Sequence, residues 1–135
     1  MSAASGSAIY ARLNGDSTLT GLGCTGVYYA LAPVTATPPF ITIQIADGSD
    51  TRVFGAKATA QERWAIKAWD HGNSHKRITQ MLDRVDVLLD EYDLVVGGGT
   101  AMCCRRIARL PDLVEDDNGV LFRQAGARYE LEVRA

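Results

Sequence analysis

Four groups of residues have types and spacing that could carry chemistry. Gly21-Leu22-Gly23-Cys24-Thr25-Gly26 matches G-x-G-x-x-G, the string whose glycines bring backbone against a dinucleotide pyrophosphate. That chemistry requires a strand before the string and a helix after it, so that the helix N-terminus meets the phosphates. Here a Thr-rich stretch precedes and the β-forming Val27-Tyr28-Tyr29 follows, so a loop is the expectation for 18–26. Gly97-Gly98-Gly99-Thr100 lacks the Gly-Lys-Ser/Thr of a phosphate loop and reads as a flexible linker.

Cys103-Cys104 with a distant histidine could suggest a thiol nucleophile. Activation needs a nearby base or a helix N-terminus, whereas these thiols lie mid-strand beside apolar residues and are expected to pack as small hydrophobes. Strand neighbours face opposite ways, so a bond between them would strain the backbone. With Cys24 the count is three, read as reduced thiols of a cytosolic product. Asp70, His71 and His75 could be metal ligands, but they include the only two histidines, and Gly72-Asn73 breaks any shared helical face. They read as polar residues at a helix entry. The expectation is therefore no catalytic, cofactor-binding or metal residue, and no cofactor. The enzymatic alternative, a small cysteine-dependent enzyme or nucleotide-binding domain, rests on Cys103, Cys104 and the glycine string alone.

The elements that must position these residues are legible from periodicity. Ser2 to Leu13 is a short helix with Ala4, Ala8 (or Ile9) and Leu13 at helical spacing, ended by Asn14-Gly15-Asp16. Val27 to Leu31 is a strand. Ala32 to Pro39 holds three prolines and is an extended connection without hydrogen bonds. Phe40 to Ala46 alternates cleanly, with Ile41, Ile43 and Ile45 on one face, and Asp47-Gly48-Ser49-Asp50 reads as a turn. In Thr59 to Asp70, Trp64, Ile66 and Ala68 share one face and Trp69 the other, so one Trp meets the helical layer and the other does not.

The strongest signal follows. Ile78, Met81, Leu82, Val85, Leu88, Leu89 and Tyr92 fall at steps of three and four, predicting an amphipathic helix over 74–92 with Asn73 or Ser74 as its cap. Ala101 to Leu110 and Leu121 to Arg134 are strands joined by an acidic loop over 111–119, whose Asp117-Asn118-Gly119 tip is a hairpin signal. The order implies one α+β domain over 1–135: a single, mainly antiparallel sheet of about five strands with two helices packed on one face.

Composition excludes several partners. With 135 residues, 47% hydrophobic and 22% charged, the chain can bury a core without metals or disulfides. A net charge of -2 gives no whole-protein field for nucleic acid or anionic lipid. Met1 to Tyr10 lacks the features of a signal peptide, and no apolar run approaches the roughly 20 residues of a bilayer span. A soluble, intracellular product is expected. What remains is surface. Arg52, Val53, Phe54 and Lys57 lie in a segment, 50–58, more apolar than a monomer needs, with Phe54 as an aromatic anchor. Trp69, Arg105, Arg109, Asp116 and Asp117 are the other candidate interaction residues: the second Trp face, a basic cluster and an acidic run suited to pairing between subunits.

The element order, with the segments Pro39-Phe40-Ile41-Thr42-Ile43, Trp64-Ala65-Ile66-Lys67-Ala68-Trp69 and the closing Gly126-Ala127-Arg128-Tyr129-Glu130-Leu131, resembles the tail-completion or tail-terminator proteins of long-tailed bacteriophages and prophages. The resemblance spans nearly the whole chain, in diffuse motifs without invariant chemistry. Where that family carries an aromatic-rich strand after the last glycine, this chain has the small Gln124-Ala125-Gly126-Ala127. The resemblance implies a virion protein that caps the tail tube and helps join tail to head. It would be made in the host cytoplasm and work as a ring, typically of six copies. Partners would be itself, the tail tube protein and the head-tail connector, with DNA passing the channel non-specifically and no membrane. Another head-tail joining or neck protein is the alternative within the same particle.

Overall fold

The computed structural model describes the backbone of 3–33, 35–53, 56–72, 75–95, 101–117 and 119–134, with side chains at 5–33, 35–48, 61–72, 75–94, 103–116, 119 and 121–132. The order is α1 (Ala3–Leu13), α2 (Ser17–Gly21), β1 (Val27–Tyr29), β2 (Phe40–Val53), β3 (Ala56–His71), α3 (Lys76–Leu89), β4 (Tyr92–Val95), β5 (Ala101–Asp117) and β6 (Val120–Arg134). The strands form one sheet in the order β1-β2-β3-β6-β5-β4, curled into a half-barrel. Only β1 with β2 is parallel; the other neighbours run antiparallel.

The α+β class stands, with six described strands rather than five and three helices rather than two. The additions are short elements whose local signals are weak. Asp16 turns the Thr-rich stretch into α2, because its carboxylate accepts the Leu19 N–H at 3.1 Å and caps the helix. Tyr92, in step with the α3 stripe, instead begins β4: Asp90 is extended, Glu91 takes φ +55° and the chain reverses. Thus α3 runs over 76–89, not 74–92. His75 occupies its N-cap position without a side-chain cap bond, and Asn73 and Ser74 lie outside the described residues. Likewise β1 stops at Tyr29, before Leu31.

Two expected turns are strand. Residues 47–50 continue β2, because the strand absorbs Ala46 as an irregularity and then pairs with β3 as far as Val53↔Ala56. The acidic segment 111–117 continues β5: Pro111 and Asp112 sit in a register break between Leu110 and Leu113, where no ladder N–H is required of the proline. The 32–39 connection is not free of hydrogen bonds. Ala36 N–H donates to the Pro33 carbonyl, and Thr25 donates to the Pro39 carbonyl from both its backbone N–H (2.9 Å) and its hydroxyl (3.2 Å). The 97–99 linker lies outside the described residues.

The core lies between the sheet and α1 and α3. Ile41, Ile43, Trp64, Ile66, Ala127, Tyr129 and Leu131 face Ile9, Leu13, Ile78, Met81, Val85 and Leu89, all buried. Each aliphatic side chain fully removed from water contributes about 1.5–3 kcal/mol, which is what holds α3 on the sheet. The small residues at 124–127 have a packing reason. Ala125 and Ala127 lie in the core, and a Cβ on Gly126 would come 2.4 Å from the Ile66 carbonyl oxygen, so only glycine lets β6 approach β3 there. The two Trp residues split as the alternation requires: Trp64 is buried, while half-buried Trp69 stacks on Phe40 and donates its indole N–H to the Thr42 hydroxyl at 2.9 Å.

Candidate assembly surface

Three polar clusters tie the helices to one another and to the sheet. Asp16 accepts both prongs of Arg84 (3.0 and 2.9 Å), linking α2 to α3, and this bond holds the Asp16 carboxyl below its usual range. Asp86 of α3 accepts the Tyr129 hydroxyl at 2.7 Å and an Arg106 guanidinium N–H, while Asp90 accepts the Arg106 backbone N–H at 2.8 Å. Buried Asp70, at the end of β3, accepts Arg77 Nε at 3.0 Å and the His71 backbone N–H at 2.8 Å. These four carboxylates accept from structural donors.

Of the chemical candidates of the sequence, the fold brings the start of the glycine string beside Asp70 and His71. Gly21 closes α2 and Gly26 precedes β1, so the glycine string has its helix and strand in the reverse of the dinucleotide order. Gly21, Leu22, Asp70, His71, Lys76 and Arg77 line an open cleft of about 450 Å³, in which Asp70 is already bonded to Arg77. Among the described residues, no group of three or more His, Cys, Asp or Glu is placed to hold a metal ion. Cys103 is exposed and Cys104 buried, on opposite faces of β5. Burial first, then the nearby Asp90 and Cys103, pushes the Cys104 thiol up to about 12, so the thiolate a nucleophile needs is disfavoured.

The surface residues come together more informatively. Register aligns Asp47, Arg63, Glu130 and Arg105 in one row across β2, β3, β6 and β5. Arg63 binds Asp47 at 2.8 Å and Glu130 at 3.5 Å, and Arg105 binds Glu130 at 3.4 Å, giving an alternating line of charge on the face opposite the helices. Tyr29, Ile43, Ile66, Ala127 and Arg109 form another row, three positions along β3, on the helix side. Exposed large apolar side chains gather on β5 (Ile107, Leu113, Val114) and around the end of β1 (Tyr29, Leu31).

Of the nine sequence candidates, Arg105 and Arg109 lie exposed on β5 with Asp116, whose carboxylate accepts the Gly119 N–H at 2.9 Å in the hairpin turn. Asp117 pairs with Val120 at the base of that turn. Trp69 lies on the outer face, near the β1 end of the sheet rather than beside them. Arg52 pairs with Lys57 and Val53 with Ala56 in the β2–β3 hairpin, whose tip, including Phe54, lies outside the described residues. Sequence reasoning missed Asp47, hidden in an apparent turn, and Glu130, one of four charged residues alternating along β6. Both acquire meaning only from cross-strand register.

No protein-family model matches the sequence, and no curated protein does. Among solved structures, a chain in the virion of a native gene transfer agent (GTA) particle is similar over 100% of both chains, with a TM-score of 0.74 and 19% identity. A second solved chain is similar over 93% of this chain and 94% of its own, with a TM-score of 0.56 and 12% identity. At these identities the likeness is one of fold.

Proposed function

We propose that the chain is a structural protein of a phage-like virion that caps the tail tube and helps join tail to head, working as a ring of copies. The single observation that carries this reading is the full-length likeness in fold to a chain of the GTA virion. The resemblance of the sequence to tail-terminator proteins points the same way. The arrangement of side chains is consistent with a role in shape rather than catalysis: the carboxylates under the helices are committed to structural donors, and the buried thiol resists ionisation. In this reading the protein acts in the virion neck and is made in the host cytoplasm. Its partners are its own copies, the tube protein and the connector, and DNA only passes through.

The β2–β3 hairpin with Arg52, Val53, Phe54 and Lys57 is the proposed contact to the tube or a neighbour, and β5 with Arg105, Arg109, Asp116 and Asp117 the proposed subunit edge. The test is deletion of the gene from its particle, with tail lengths measured by negative-stain electron microscopy. Tube capping predicts tails of uncontrolled length that the purified protein stops from growing. Tails of normal length that fail to attach heads would instead assign the chain to another neck position.

A further inference from the structure

The two edges of the sheet are stepped in opposite senses. On one side β1 covers β2 only through Ile43, so that Gln44 to Val53 has no described strand beside it. On the other side β4 covers β5 only through Cys104, so that Arg105 to Asp117 has none. Because β1 and β4 sit at opposite ends of the strands, each edge has a protruding half and a recessed half. The row that runs from Asp47 to Arg105 lies between the two steps, directly beside that of β4 and three rows from that of β1. A protruding β1 fits the recess beside β5 of another copy, and a protruding β4 the recess beside β2. The strands would then run β5 antiparallel to β1 and β4 parallel to β2, both permitted ladders.

The chemistry of the two edges is also complementary. Within the charged row, among the described residues, Arg63 and Glu130 each have two partners and are 27% and 16% exposed, whereas Asp47 and Arg105 have one each and are 58% and 65% exposed. The row therefore ends in an unsaturated anion on one edge and an unsaturated cation on the other. Three rows along, the row through Ile66 ends in Tyr29, 57% exposed, on one edge and Arg109 on the other, a pair suited to cation–π contact. Leu31, 83% exposed, lies just past Tyr29, toward the level of the half-exposed Ile107. With no slip along the strands, every one of these ends meets its complement.

We infer that the partner on both edges is a second copy of this chain, joined head to tail so that Arg105 of one copy meets Asp47 of the next and Arg109 meets its Tyr29. The inference rests on the ring reading above and deepens it. Such a contact is heterologous, and because the matching ends share rows it carries no step along the strands, so it closes by rotation instead of climbing as a filament. The charges fix the register, and the bulged β5 edge, with Pro111, is blunted against ladders with other proteins.

The test is the mass of the purified full chain across a concentration series, by mass photometry, for the wild type, Arg105→Glu, Asp47→Arg, the double swap and an equimolar mixture of the two single variants. Wild type is expected to populate a closed oligomer. Each single variant places like charges across the contact and should weaken association at least tenfold, with circular dichroism unchanged. The double swap, and the mixture in alternating order for an even-numbered ring, should regain it. A wild type that assembles equally well with either single reversal overturns the edge contact while leaving the ring reading intact. A folded wild type that stays monomeric at every concentration overturns both. Should a single variant misfold, Leu31→Lys alone, exposed and outside any strand, is expected to weaken assembly; no effect there counts against the contact.

Discussion

The helix-covered face of the sheet and its two free edges are built by opposite rules. On the covered face, the carboxylates are bonded within the chain: Ser5 donates to buried Glu62 at 2.8 Å, Tyr129 to Asp86 and Arg77 to Asp70. At the edges, charged and apolar groups are left with half their contacts. Buried, satisfied groups contribute to stability and lose it when cut. Exposed ion pairs contribute little to stability but fix how surfaces meet. The difference teaches that fold and assembly are separable in this molecule, and mutations should divide along that line.

The largest break comes from Gly126→Ala, which would force a methyl against the Ile66 carbonyl and push β6 off β3. A loss of about 3 kcal/mol or more is expected, read as a collapse of the thermal transition or an unfolded spectrum. Next is Asp86→Ala, which leaves the buried Tyr129 hydroxyl and the Arg106 guanidinium without their acceptor. It should lower stability by about 2 kcal/mol in urea unfolding, with Tyr129→Phe in the Asp86→Ala background recovering part of the loss.

A pH series sharpens the same contrast. The folded Cys104 thiol ionises near 12, above its ordinary 9.0. An acid whose folded value is raised adds its stability below the unfolded value and loses it as pH rises toward the folded one. Above pH 9 the unfolded chain therefore gives up this proton while the fold keeps it, costing up to about 1.4 kcal/mol per pH unit. Thermal midpoints should fall between pH 9 and 12, and less steeply in Cys104→Ala than in wild type once both are referred to pH 8. The smallest effect is at the edge. Arg105→Ala, with its solvent-screened partner Glu130, should shift unfolding by less than about 0.5 kcal/mol while still weakening association.

How much of this was legible in the sequence follows from where the information lies. The α3 stripe is local, and Ile78, Met81, Val85, Leu88 and Leu89 are all buried as their spacing requires. The alternation of β2 and β3 is local too, including the division of Trp64 from Trp69. Lengths failed where tertiary pairing overrode residue preference. Asp47-Gly48-Ser49-Asp50 has turn chemistry, yet each of these residues has a β3 partner. Pro111 reads as a stop, yet it falls where the β5 ladder skips. Tyr92 continued the helical spacing by coincidence. At the candidate surface, Arg105 and Arg109 were visible as a basic cluster. Their counterparts Asp47 and Tyr29 were not, because rows across four or five strands depend on register that no local window contains.

The most direct test of the central claim, that this chain works through contacts between copies, is negative-stain imaging of the purified wild-type protein with rotational averaging. Ring-shaped particles with a central opening and a single rotational symmetry, lost in Arg105→Glu, are the expected result. A uniform field of compact single-chain particles, at concentrations where the protein is folded, would contradict it.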